Sequence, residues 1–132
     1  MALRAIAGLI GALFLVQTAG WILDPATAAE GLGMPLLDGL ARSTQIGDFT
    51  SFFLALGSMA MLGAIRSNGT WLRASAILLG GAAIMRTLAW AIHDAELATE
   101  LIVIEAALAI ALLAIASRFD AAATDPATAE VN

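Results

Sequence analysis

The sequence predicts an all-α fold: a four-helix transmembrane bundle with a short helical outer loop between its first and second long helices. Three observations carry this. The 132 residues are 61% hydrophobic and only 13% charged, with a mean hydropathy of +0.91, which leaves too little polar surface to clothe a water-exposed globule. Four apolar runs reach about the 20 residues a helix needs to cross the hydrocarbon layer. Polar or turn residues bound each run. A single domain over residues 1–118 is expected, followed by a disordered tail over 119–132.

The first span is read over Ala5–Leu23. Arg4 before it and Ala26-Thr27-Ala28 after it are the outline of a cleavable signal peptide, but the apolar run is longer than a usual signal core, so a retained span is the expectation. Asp24-Pro25 supplies an N-cap and a first-turn proline for a short helix that should stop at Gly31 or Gly33. Met34-Pro35-Leu36-Leu37 is then expected to dip into the outer interface, making this connector a shield or lid over the bundle end.

The second span is read over Ile46–Ile65 and the third over Trp71–Ile92, separated by the turn signal Ser67-Asn68-Gly69. The fourth, Leu97–Ala116, follows so closely that it and the third must form an antiparallel hairpin. Gly8, Gly11 and Ala12, then Gly57 and Gly63, then Gly80-Gly81 give small faces for close helix approach. The methionines are read as gap fillers. The tail repeats Asp-Pro-Ala-Thr-Ala from residues 24–28 at 125–129, five small, common residue types that carry no further inference.

Arginine placement predicts orientation. With the N-terminus in the cytoplasm of a bacterial inner membrane, Arg4, Arg66, Arg73 and Arg118 lie at inner ends and only Arg42 lies in an outer loop. That imbalance opposes a dual-topology arrangement. Trp21 and Trp90 are expected near the outer interface and Trp71 at the inner one. Absent cysteine excludes disulfides, thiolate metal sites and thiol redox relays, and absent lysine removes any Schiff-base attachment point. A net charge of −5 offers no footprint for nucleic acid.

Within this apolar chain, "MRTLAWAIHDAELATELIVIE" (85–105) gathers an arginine, a histidine, an aspartate and three glutamates. Arg86 and Glu105 are nearly equidistant from a hairpin midpoint at Ala95-Glu96, so at about 1.5 Å per residue they fall at matching depth, roughly 10–13 Å below the outer interface. An unpaired ion there costs roughly 2.5–3.5 kcal/mol, which makes pairing the expectation. Gln17, roughly 9 Å down the first span, and Asp48, just inside the second, approach the same level. One polar cluster drawn from all four helices is predicted: Gln17, Asp48, Arg86 and Glu105. Trp90 and His93 follow Arg86 at helical spacing and share its face of the third span, with Asp94, Glu96 and Glu100 crowding the rim.

The bland readings are a structural clasp for Arg86–Glu105 and a headgroup-solvated residue for His93. His93, Glu96 and Glu100 specify a metal poorly, and one histidine cannot supply two haem ligands, so no cofactor is expected. The cluster is expected to close a small cavity reachable from the periplasmic side, in a non-enzymatic protein that binds a small amphiphile or lipid or serves as an accessory subunit of a membrane complex. The alternative is a proton-coupled small transporter using Glu105 and Arg86. A third is an enzyme with Glu105 or His93 as general base. The expected partners are the lipid bilayer and a membrane protein or a second copy, since small-residue faces serve internal and intermolecular packing alike.

A first span followed by "DPATAAEGLGMP", a glycine-containing second span, Arg86 in the third and Glu105 in the fourth resembles a family of small bacterial four-helix integral membrane proteins of unknown function, broadly DoxX-like. The resemblance covers about Ala5–Arg118 and implies the fold without implying a reaction. Asp48 stands in the region where members carry an arginine.

Overall fold

A computed structural model describes residues 1–124. They form α1 (Ala2–Leu23), the short α2 (Pro25–Glu30), α3 (Gly39–Arg66), α4 (Gly69–His93) and α5 (Thr99–Thr124). The four long helices have 22, 28, 25 and 26 residues, so at about 1.5 Å per residue each exceeds the roughly 30 Å of a hydrocarbon core. Leu9, Val16, Ile77, Ile84, Val103 and Ile110 lie exposed on the outside of the bundle. A water-soluble fold does not leave so many large apolar side chains uncovered. The chain is a small membrane protein with four apolar spans.

α1 packs along α3, and α5 along α4. The two pairs join through α3 and α4, while α1 and α5 scarcely touch. Glycine sets the first pairing. A Cβ on Gly11 would stand 2.8 Å from the Met61 amide nitrogen, and one on Gly57 would stand 2.9 Å from the Gly11 carbonyl oxygen. The two backbones therefore cross in direct contact, as small-residue membrane interfaces allow. Leu56, Leu72, Leu79 and Leu112 fill the centre, and the buried Ser75 hydroxyl donates to the Leu56 carbonyl at 2.9 Å.

Arg4 binds the end of α3, donating to the Ala64 and Ile65 carbonyls at 3.0 and 2.8 Å. Nearby, Arg73 pairs with Asp120. This end of the bundle also holds the 66–69 turn, where Ser67 takes a left-handed conformation and the Asn68 side chain caps α4. The opposite end carries α2 and the α4–α5 turn.

Two boundaries differ most from the sequence reading. α3 starts at Gly39, a full seven residues before Ile46. Its polar first turns are anchored by the Arg42–Asp38 ion pair at 2.7 Å and by Gln45, which an apolar-run criterion passes over. α5 passes residue 118 to Thr124, so 119–124 are helical: Phe119 packs on the core and Asp120 holds Arg73. The rest of the expected tail, 125–132, lies outside the described residues, as does the second Asp-Pro-Ala-Thr-Ala string. Within the 34–37 segment, Met34 and Leu36 pack against the core while Pro35 and Leu37 are exposed.

α2 forms as its signals require. The Asp24 carboxylate accepts from the Thr27 amide, Pro25 occupies the first turn and Gly31 ends the helix. Gly33, at φ +75°, makes the turn that follows.

Candidate functional site

α1 and α5 scarcely touch, and toward the α2 end space remains between them. A cavity of about 320 Å³ lies between the helix pairs, lined by Gln17, Leu32, Phe53, Ile104, Glu105 and Leu108 among others. A smaller space of about 180 Å³ adjoins it at Gln17, Gly31, Leu32 and Phe53, and runs beneath α2 past Trp21 and Asp24. A further cavity of about 310 Å³ lies on the other side of Glu105, bounded by Asp48, Phe49, Phe52, Ala82 and Arg86.

Arg86 and Glu105 form the polar element between these spaces. Arg86 donates through Nε to both carboxylate oxygens, at 3.1 and 3.2 Å. The side chains are 26% and 13% exposed. Arg86 lies seven residues before the end of α4 and Glu105 six after the start of α5, which puts both about 9–11 Å from the turn. Sharing Nε leaves the two terminal guanidinium nitrogens without a partner among the described residues, so one of the five N–H donors of arginine is used.

Gln17 reaches the larger cavity on the α1 side, and Asp48 reaches the cavity that holds Arg86. Both are exposed, and neither side chain makes a hydrogen bond or ion pair among the described residues. All four predicted groups thus line adjoining cavities, with only Arg86 and Glu105 in contact. Trp90 and His93 stand apart. Trp90 is 50% exposed, His93 is the exposed last residue of α4, and neither lines these spaces.

Trp21, two residues before the end of α1, is turned inward. It is 1% exposed and stacks on Phe49 of α3 at 4.8 Å. Phe14 stacks on Phe53 at 6.0 Å. Phe52 and Phe53 touch both large cavities and form their shared wall. The adjacent pair "FF", four and five residues after Asp48, was the available sequence signal for them.

Gln45 was not singled out in the sequence, yet it holds the roof. It is 6% exposed, accepts from the Leu37 amide at 2.9 Å and donates to the Pro35 carbonyl at 3.1 Å. The extended segment between α2 and α3 is thereby tied to α3. Asp24, at the rim, is held below its ordinary carboxylate range by hydrogen bonding from Thr27.

A four-span membrane bundle with a charge-paired, partly open cavity at one end is the class that this fold and site define. Compared with protein families, curated proteins and solved structures, the chain matches none.

Proposed function

We propose that this four-span protein binds a single-chain amphiphile, which enters from the bilayer through the seam between α1 and α5. The carrying observation is that seam: the helices scarcely touch there, and behind it lies an apolar cavity of about 320 Å³ whose wall carries Glu105 and Gln17. An acyl chain would lie against Leu13, Ile104 and Leu108, with its polar head at the Glu105 carboxylate. Such a protein works as a lipid-handling unit or as the accessory subunit that presents a lipid to a larger complex. A partner that co-purifies in mild detergent would favour the second role.

The direct test is photo-crosslinking in nanodiscs with an alkyl chain bearing a terminal diazirine. Labels should concentrate on residues lining the cavity, and Ile104→Trp should suppress them. Uniform labelling of the outer faces, unchanged by Ile104→Trp, would overturn the proposal.

A second reading is favoured by Glu105 alone, since its carboxylate borders both large cavities. A proton-coupled carrier would use that group to exchange protons, with Arg86 as its ion-pair partner. In liposomes Glu105→Gln should then abolish substrate-linked proton movement while the protein stays folded.

We also propose that the end bearing Arg4, Arg66, Arg73 and Arg118 faces the cytoplasm of a bacterial inner membrane. The support is the positive-inside bias of those four arginines. Modification of cysteines introduced at Ser67 and at Ala95 by a membrane-impermeant reagent tests it; from outside the cell, only the latter should react.

A further inference from the structure

We infer that the cavity between α3 and α4 selects a positively charged, ammonium-type headgroup; this rests on the amphiphile reading and names its ligand class. The charge balance of that cavity carries the inference. Its ionisable groups are Asp48, Arg86 and Glu105. Arg86 is committed to Glu105 through Nε, and that pair is neutral as a unit. Asp48 is left with no counter-charge among the described residues, so the cavity carries one formal negative charge in excess.

The remaining walls suit a cation as well. Phe49, Phe52 and Phe53 border the space, and aromatic faces attract ammonium groups through the ring quadrupole, more strongly where water is excluded. A carboxylate beside aromatic rings is a recurrent means of recognising alkylammonium ions, whereas an anionic head would face Asp48 without compensation. Asp48 lies nine residues along α3, on the side of the bundle that carries Arg86 in the same cavity. An excess negative charge near hydrocarbon is costly while unpaired, which gives a lipophilic cation its advantage. Phe52, Phe53 and Glu105 are common to this cavity and the larger apolar one, so a head held at Asp48 and Glu105 can leave its chain in the space facing α1.

The test uses three probes with equal tails, decyltrimethylammonium, decanoate and 1-decanol, bound to the full chain in an uncharged maltoside detergent. Decyltrimethylammonium should bind about tenfold more tightly than the other two, a difference of the size one desolvated charge contact supplies. Asp48→Asn should remove that advantage, bringing decyltrimethylammonium to the level of 1-decanol, and Asp48→Glu should restore it. Circular dichroism checks that each variant keeps its helices. Equal binding of all three probes, or an ammonium preference that survives Asp48→Asn, overturns the cation inference and leaves the amphiphile reading standing. Binding of none overturns both.

Discussion

Arg86 donates one nitrogen, Nε, to both oxygens of Glu105, joining α4 to α5 about two turns beneath the bend that connects them. The pair closes the hairpin at matched depth, and both residues border the cavity that Asp48 also lines. It is thus a clasp and a wall at once. The two roles separate by mutation.

Removing one partner strands the other in an apolar setting. Glu105→Leu or Arg86→Met alone should destabilise the bundle by about 2–4 kcal/mol, and the double substitution should recover most of that loss. Equilibrium unfolding in mixed micelles measures it. A double variant as unstable as the sum of the singles would show that the two side chains act independently.

The crossing of α1 and α3 should tolerate no added methyl group. Gly57→Ala sets a Cβ 2.9 Å from the Gly11 carbonyl and the Leu15 amide, both backbone, and the helices must separate at a cost of about 1–3 kcal/mol. Gly47→Ala and Gly81→Ala meet nothing within 4 Å and should be neutral or stabilising by up to about 1 kcal/mol through helix propensity. Thermal melting of the three variants side by side checks the contrast.

Gln45 should matter more than its place in a polar stretch suggests. Gln45→Leu leaves the Leu37 amide and the Pro35 carbonyl without their partner, a loss of about 1–3 kcal/mol. Hydrogen exchange should show faster opening of the Leu37 amide, with the centre of α3 unchanged.

The cap on α2 carries a pH dependence. Hydrogen bonding from Thr27 lowers the Asp24 carboxyl from its ordinary value near 3.8. A depressed folded pKa contributes stability that is fully present above the unfolded value and is lost as pH falls through the folded one. α2 should therefore loosen only below about pH 4, while Asp24→Asn, which still caps, should show no such step. The Thr27 amide resonance followed by acid titration provides the readout.

Four spans, the α2 cap and glycine stop, and the level placement of Arg86 with Glu105 were legible from residue order alone. Each depends on quantities that run along the chain: the length of an apolar run, the chemistry of a turn, the rise per residue. The early start of α3, the burial of Trp21 against Phe49, the hold of Gln45 on the 35–37 segment and the open seam between α1 and α5 were not. In a membrane helix nearly every face is apolar, so periodicity does not reveal which face turns inward. That rotation is decided only when the helices meet, by how closely backbones such as those at Gly11 and Gly57 can approach and by what space their crossing leaves elsewhere.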